Sequence, residues 1–384
     1  MNLAELLSYA DIHELSKIAG NYNCECSSHS KNELIQSILS TIGRKDVFER
    51  QVSALSLEDV RFLNSILFDE RNSFSVEELV ARARQTKFSR TDQDDWNPRD
   101  MVQKFKMRGW LFNGYSHQTK YLLHMPHDLK RRFSEALAKQ FLKDIRTVPV
   151  PEAYRDEQKM IVEDIYHFLH YVFHHDIVLT AGNSMYKRNL QQILGLLSVR
   201  EEPVRKGEWR FGYGRMFKEY PNRFSLIYDY CYYKNLIAEP DGRVELTDKG
   251  RKAVLEGQKE DLLDVYRFWL RLYKGAIPNL QSLVHWVNQL TRQWVTAVSL
   301  GNVLCPLIKP FYYDSPESIF ERRILQMMMH LGLIRIGEDP AHGKTVQVTK
   351  LGSTMIQGTY VAEDDLIRLP QNGGKPVDSS FFTS

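Results

Sequence analysis

Three sets of residues in this sequence have types and spacings that could support chemistry: a glycine-rich segment, a group of histidines and a pair of cysteines. The first, GEDPAHGKT from Gly337 to Thr345, has the glycines and the lysine of a phosphate-binding loop. Such a loop holds four residues between its glycines and leads into a helix whose free N–H groups bind phosphate. Here five residues separate Gly337 from Gly343, and the alternating VQVT that follows indicates a strand. The segment is therefore predicted to be the turn of a β-hairpin.

The histidines and cysteines raise the question of a metal site. His167, His170 and His174 share one helical face in HFLHYVFHHD, a spacing that could supply zinc ligands. The residues between them are apolar, and the His-x-x-x-His order with a central glutamate found in metallohydrolases is absent. Cys24 and Cys26 are too close together for an ordinary zinc knuckle. We expect structural histidines, no metal, no cofactor and no catalytic residues.

The hairpin around Gly337 has a counterpart earlier in the chain. The two segments are LIAEPDGRVELTDKGRKAVLEG, from Leu236 to Gly257, and LIRIGEDPAHGKTVQVTKLGSTMIQG, from Leu333 to Gly358. Both start with Leu-Ile, turn through Gly, Pro and Asp, and return on a strand that ends in a T-x-x-G motif. The motif residues are Thr247 with Gly250 and Thr349 with Gly352. Each threonine is predicted to cap a following helix through its hydroxyl group.

A stretch with helical apolar spacing precedes each hairpin. A helix followed by a two-stranded hairpin is the second half of a winged helix, a helix-turn-helix variant whose hairpin is called the wing. A weaker third copy lies earlier, where a helix over Asn97–Arg108 precedes apolar runs that turn at Asn113 and Gly114. We therefore predict three winged-helix-like units.

The predicted fold is mainly α with small β-hairpins, a multi-domain array of winged-helix-like units preceded by an N-terminal helical module. The predicted divisions are a helical module over 1–48, winged-helix-like units over 49–147, 148–258 and 259–369, and a flexible tail over 370–384. The segment TVPVPEAYRDEQK, with Pro149 and Pro151, is predicted to be a linker. The alternative is that the hairpins are unrelated pieces of one α+β fold.

Composition limits the class of protein. The 384 residues are 43% hydrophobic and 26% charged, which is ordinary for globular domains. Four scattered cysteines fit a reducing compartment. The N-terminus lacks the positive start of a signal peptide, and no apolar run is long enough to span a bilayer. We expect a cytoplasmic protein, nucleoid-associated if it binds DNA, with no membrane association.

One segment carries a family resemblance. DIVLTAGNSMYKRNLQQILGLL, residues 176–197, resembles a segment of the N-terminal, non-motor region of XPB-type helicases and of bacterial proteins that share it. The opening sequence, from LLSYADIHELSKIAG to SKNELIQSIL, is also similar to the N-terminal helical repeats of those bacterial proteins. The shared features are a strand ending in Leu-Thr, a glycine, Tyr-Lys-Arg and an amphipathic helix, at Leu179, Thr180, Gly182, Tyr186, Lys187 and Arg188. The resemblance implies helical and winged-helix modules that contact DNA or helicase-associated partners. Because the motor motifs are absent, it implies no catalytic residues.

Cationic residues are concentrated between Tyr186 and Arg223. Nine of them stand against four glutamates, a balance of +5 compared with +3 for the whole chain. Cations neutralise phosphates, and the aromatic residues interleaved with them could stack on unpaired bases. The predicted nucleic-acid-binding residues are Lys187, Arg188, Arg205, Lys206, Trp209, Arg210, Arg215, Lys218 and Arg223. The alternative is a solvated loop whose aromatic side chains pack into the domain.

The helix over Asn222–Asn235 is expected to face a groove of DNA, with an exposed and unusually aromatic surface made by Tyr228, Tyr230, Tyr232 and Tyr233. Such a surface suits protein contact at least as well as groove recognition. The sequence thus favours a non-enzymatic, DNA-associated accessory protein acting with a helicase, a nuclease or the transcription or repair machinery. The alternative is a protein–protein interaction adaptor that does not bind nucleic acid.

Overall fold

The computed structural model describes residues 1–88, 96–205, 210–362 and 365–369. The chain divides into two compact units, Met1–Ile145 and Arg146–Ser384. The five-part division expected from the sequence is finer and stays a prediction. The molecule is mainly helical with small antiparallel sheets, as predicted. Within the described residues, no helix is long and apolar enough to cross a membrane.

The first unit contains eight helices and a three-stranded sheet in its described part. In chain order its elements are α1 (Leu3–Tyr9), α2 (Ile12–Asn21), α3 (Lys31–Gly43), α4 (Lys45–Ser53), α5 (Leu57–Leu67), β1 (Ser73–Ser75), α6 (Val76–Arg84), α7 (Pro98–Met107), β2 (Phe112–Asn113), β3 (Leu122–His124) and α8 (His127–Phe141). The strand order is β1-β3-β2, all antiparallel. Its core includes the edge-to-face rings of Phe62, Phe105 and Trp110.

The described part of the second unit contains two further sheets. Its elements are β4 (Ala153–Arg155), α9 (Met160–His174), β5 (Ile177–Val178), α10 (Lys187–Leu196), α11 (Asn222–Tyr233), β6 (Ile237–Ala238), β7 (Arg243–Leu246), α12 (Asp248–Leu255), α13 (Leu262–Tyr273), α14 (Leu280–Leu290), β8 (Val295–Thr296), α15 (Ala297–Leu304), α16 (Pro316–Ser318), α17 (Gln326–His330), β9 (Ile334–Asp339), β10 (Gly343–Val348) and α18 (Lys350–Gln357). A π-helical stretch, Ile319–Leu325, joins α16 to α17. The sheet orders are β5-β7-β6 and β4-β9-β10-β8.

Among the described residues, the order helix–strand–helix–helix–strand–strand occurs three times, if α16, the π-helical stretch and α17 are counted as one continuous helix. The first repeat runs from α5 to β3, the second from α9 to β7 and the third from α14 to β10. In each, the last strand lies between the other two, giving the orders β1-β3-β2, β5-β7-β6 and β8-β10-β9. The first strand of each repeat is only two or three residues long, too short for alternation of apolar residues to indicate it in the sequence.

The T-x-x-G motifs fix the last strand of the second and third repeats to the helix that follows. The Thr247 hydroxyl accepts the Gly250 N–H at 3.1 Å, and the Thr349 hydroxyl accepts the Gly352 N–H at 2.8 Å, as the capping prediction requires. A Cβ at Gly250 would overlap the carbonyl oxygen of Leu236. A Cβ at Gly352 would overlap the carbonyl oxygen of Leu333 in the same way. The glycines are therefore required by close backbone approach.

Two local expectations were wrong. The turn predicted at Asn113 and Gly114 is wider, because Asn113 pairs with Leu123 and leaves a loop from 114 to 121 between the strands. The predicted linker is part of a sheet: β4 pairs antiparallel with β9. The prolines indicated a linker, but proline is also tolerated beside an edge strand, because some backbone N–H groups there have no partner.

Candidate nucleic-acid interface

Lys187 and Arg188 are placed by a closed turn in front of α10. Leu179 and Met185 form an antiparallel bridge, and Asn183 supplies the left-handed residue of the turn, with φ of 57°. Both cations lie in the first turn of α10 and are exposed. The helix has no side-chain cap and no acidic residue in that turn. Its free N–H groups, the positive end of its dipole and the two side chains together favour an anion.

Of the other predicted cations, Arg205 and Lys218 are also exposed. The Met185 N–H donates to the Tyr220 hydroxyl at 2.8 Å, so the turn that carries Lys218 lies against the start of α10. Lys206 and Trp209 lie outside the described residues. Among the described residues, the exposed part of the predicted site is therefore Lys187, Arg188, Arg205 and Lys218.

Three of the arginines that were predicted to bind nucleic acid, Arg210, Arg215 and Arg223, point into the protein instead. Arg210 is buried over the Phe217 ring, 4.3 Å from its centroid, and donates to the Tyr220 carbonyl oxygen at 3.3 Å. Arg215 forms an ion pair with Glu239. Their positive charges interact with groups inside the domain and do not contribute to a phosphate-binding surface.

Arg223 is the clearest correction, because it is completely buried. Its guanidinium group lies 2.6 Å from Asp164 and 3.6 Å from Glu157. His330 donates to Glu157 at 2.9 Å. Burial raises the pKa of Glu157, but the hydrogen bond from His330 and the charges of His330 and Arg223 outweigh burial, so the pKa lies below its usual range. The four residues form a buried ion cluster that joins α9, α11 and α17.

The expected aromatic surface on α11 was wrong as well. The helix packs against α9, α13 and α17. Tyr228 and Tyr230 are buried, and their hydroxyl groups donate to Glu239 and Glu260. Tyr232 and Tyr233 are half-buried. α11 therefore cannot enter a groove of DNA in this conformation. The aromatic residues Tyr213, Phe217 and Tyr220 are also buried, as the alternative interpretation expected.

A buried carboxyl group lies in the middle of α11. Asp229 is fully buried and accepts the Arg215 N–H at 2.7 Å. Burial raises the pKa of Asp229 from 3.8 to about 7, against the opposing effect of the Arg215 charge. Folding therefore takes up a proton at this carboxyl group between about pH 4 and pH 7.

The structure shows an exposed aromatic patch that was not predicted from the sequence. Phe211 packs edge-on against Tyr312 with 4.3 Å between ring centroids, and Tyr312 and Tyr313 are 74% and 79% exposed. The signal was the run Phe311-Tyr312-Tyr313 after Pro310, three successive aromatic residues that no single strand or helix face could bury together.

The histidines of α9 lie on the protein surface. His167, His170 and His174 are exposed on α9, not buried, with 4.5 Å between the ring centroids of His170 and His174. No group of three or more His, Cys, Asp or Glu side chains is arranged to hold a metal in the described part of the chain.

The glycine-rich segment is a hairpin, as predicted. β9 and β10 pair antiparallel, with Gly343 opposite Asp339, and Lys344 pairs with Glu321. No helix begins at its tip, so the N–H groups of a phosphate-binding loop are absent from this segment.

No protein-family model matches the chain, and a search of curated proteins finds no match.

Proposed function

We propose that the protein is a non-enzymatic, DNA-associated accessory protein built from three tandem winged-helix units behind an N-terminal helical module. The observation that carries this proposal is the threefold repeat, with its last strand always in the middle of the sheet. In a winged helix, the first strand pairs with the last strand of the wing, which gives that order. The unrelated α+β pieces considered as an alternative would not repeat one topology three times.

The resemblance of residues 176–197 to the non-motor region of XPB-type helicases supports the same proposal. These residues form the strand, turn and second helix of the second repeat. We propose a helicase, a nuclease or a transcription complex as the partner, and the cytoplasm or nucleoid as the location. DNA phosphates would bind at the uncapped start of α10, through Lys187, Arg188, Arg205 and Lys218.

Anisotropy of labelled duplex and single-stranded DNA over a series of salt concentrations tests this proposal. Replacing Lys187, Arg188, Arg205 and Lys218 with Gln should weaken binding and reduce the slope of log K against log salt by about 3 to 4. A matched control replaces four exposed cations on and after α12, namely Lys249, Arg251, Lys252 and Lys259. Equal losses in the two variants would place the binding elsewhere, and no binding by the natural protein would reject the proposal.

A second candidate function is a protein–protein adaptor. It is favoured by the burial of α11 and of the third helix of the third repeat, including Ile324 and Met328, because neither helix can enter a groove. The exposed Tyr312 and Tyr313 would then contact the partner protein. Replacing both with Ala should abolish co-purification of a partner while leaving any DNA binding unchanged.

A further inference from the structure

The third helix of the first repeat, α7, differs from its two counterparts in exposure. α11 buries nine residues from Arg223 to Cys231, and the stretch from Ile319 to His330 is buried along most of its length. α7 buries only Met101, Val102 and Phe105. Its remaining surface is open to solvent or half-buried. In this chain, only the first repeat keeps a third helix accessible among the described residues.

The accessible face of α7 carries long polar side chains. Arg99 and Gln103 are exposed and four residues apart, and Lys106 follows three residues later and is half-buried. Residues at these intervals lie on one side of a helix. Arginine, glutamine and lysine are the side chains that contact phosphates and base edges.

The loop between β2 and β3 continues this surface. The Lys106 ammonium group donates to the Asn113 side chain at 3.1 Å, which ties α7 to the strand that enters the loop. The loop exposes Tyr115, Lys120 and Tyr121, and the Lys120 ammonium lies 4.8 Å from the centroid of the Tyr121 ring. The helix and the loop that is tied to it therefore both carry exposed or half-exposed cations.

The local charge is strongly positive. Residues 97–121 contain five lysines and arginines and one carboxylate, a net charge of +4 in a chain whose total is +3. Two of the cations have partners within the protein. Lys104 forms an ion pair with Asp59 at 2.5 Å, and the Arg108 guanidinium group lies over the Trp110 ring. Arg99, Lys106 and Lys120 form no ion pair with any residue that the structure describes, although the charge of Lys106 does act on the half-buried Glu14.

We propose that α7 and the β2–β3 loop bind duplex DNA, with α7 against a groove and Lys120 on the adjoining phosphates. The inference rests on the proposed function, because it adds a duplex-binding surface on the first repeat to the phosphate contacts proposed at α10 of the second. It also goes beyond that function, because the nucleic-acid-binding residues predicted from the sequence and the segment resembling XPB-type helicases both lie within residues 176–223, outside the first repeat.

The test replaces Arg99, Lys106 and Lys120 with Gln in the full chain and measures duplex and single-strand anisotropy at several salt concentrations. Duplex binding should weaken at least about tenfold at low salt, and the salt slope should fall by about 3. The matched control replaces Arg50, Arg131 and Lys143, three exposed cations on or just after α4 and α8 of the same unit, and should change binding less than about twofold. Circular dichroism and melting temperature establish that both variants are folded.

The outcomes separate this inference from the proposed function. If the α7 variant binds duplex as the natural protein does, while the variant at Lys187, Arg188, Arg205 and Lys218 does not, the inference is overturned and the proposed function stands. A loss confined to single strands overturns the assignment to duplex. Failure of the natural protein to bind any DNA overturns the proposed function itself, and this inference with it.

Discussion

Gly250 and Gly352 show how a single atom constrains this fold. Because a Cβ at either position would overlap a backbone carbonyl oxygen, Gly250→Ala should lower the free energy of unfolding by about 1 to 3 kcal/mol. Gly195→Ala is the matched control, since its Cβ meets nothing within 4 Å and alanine favours a helix. Urea unfolding measures both variants. Equal stabilities would show that the close approach at Leu236 is not a constraint.

The raised pKa of Asp229 predicts how the stability of the protein depends on pH. Its folded-state pKa of about 7 lies above its unfolded value, so the folded protein binds the extra proton between about pH 4 and pH 7. Stability should therefore fall as pH rises through this interval, by roughly 2 to 4 kcal/mol, and level off above it. Unfolding measured at several pH values checks the decline. Asp229→Asn should remove it, and a decline that persists in this variant would assign it to another group.

Residue identity alone did not decide which arginines are exposed and which are buried. Arg188 and Arg223 are the same residue type in one basic segment, yet one is exposed and the other buried. A signal existed in NRFSLIYDYCYY, which has apolar residues on nearly every side and therefore indicates a buried helix. Asp164 has the helical spacing of the apolar residues Ile161, Ile165 and Phe168, which was the matching sign of a buried partner.

At the scale of elements, the buried ion cluster joins α9 to α11 through Asp164 and Arg223, and it reaches α17 through Glu157 and His330. Arg223→Met should cost about 3 to 5 kcal/mol, because it leaves Asp164 and Glu157 buried without their cation. Arg188→Met is the matched control and should change stability by less than about 0.5 kcal/mol. Thermal and urea unfolding compare the two. A mild effect at Arg223 would mean that water or rearrangement replaces its charge.

The elements predicted best were those with local signals. The β9–β10 hairpin and the caps at Thr247 and Thr349 follow from turn residues and a hydroxyl three positions before a glycine. The short strands β1, β5 and β8 and the pairing of β4 with β9 depend on contacts between distant segments. No short stretch of the sequence indicates these strands or this pairing.

The whole molecule has two compact units, so its unfolding should not be a single two-state transition. Calorimetry should resolve two transitions, one for each unit. Gly250→Ala should lower only the transition of the second unit, and Phe105→Leu, at a buried position of the first unit, only the other. If both substitutions shift one common transition, the units unfold cooperatively.

The pairing of β4 with β9 decides where the second unit can be separated from the chain. A fragment starting after Gln158 would lose the strand that covers β9, and it would lose Glu157 from beside Arg223 and His330. The uncovered N–H and C=O groups of β9 would be free to pair with another molecule, which is a route to aggregation. A fragment starting at Arg146 keeps that strand, so the division belongs before the proline-containing segment and not after it.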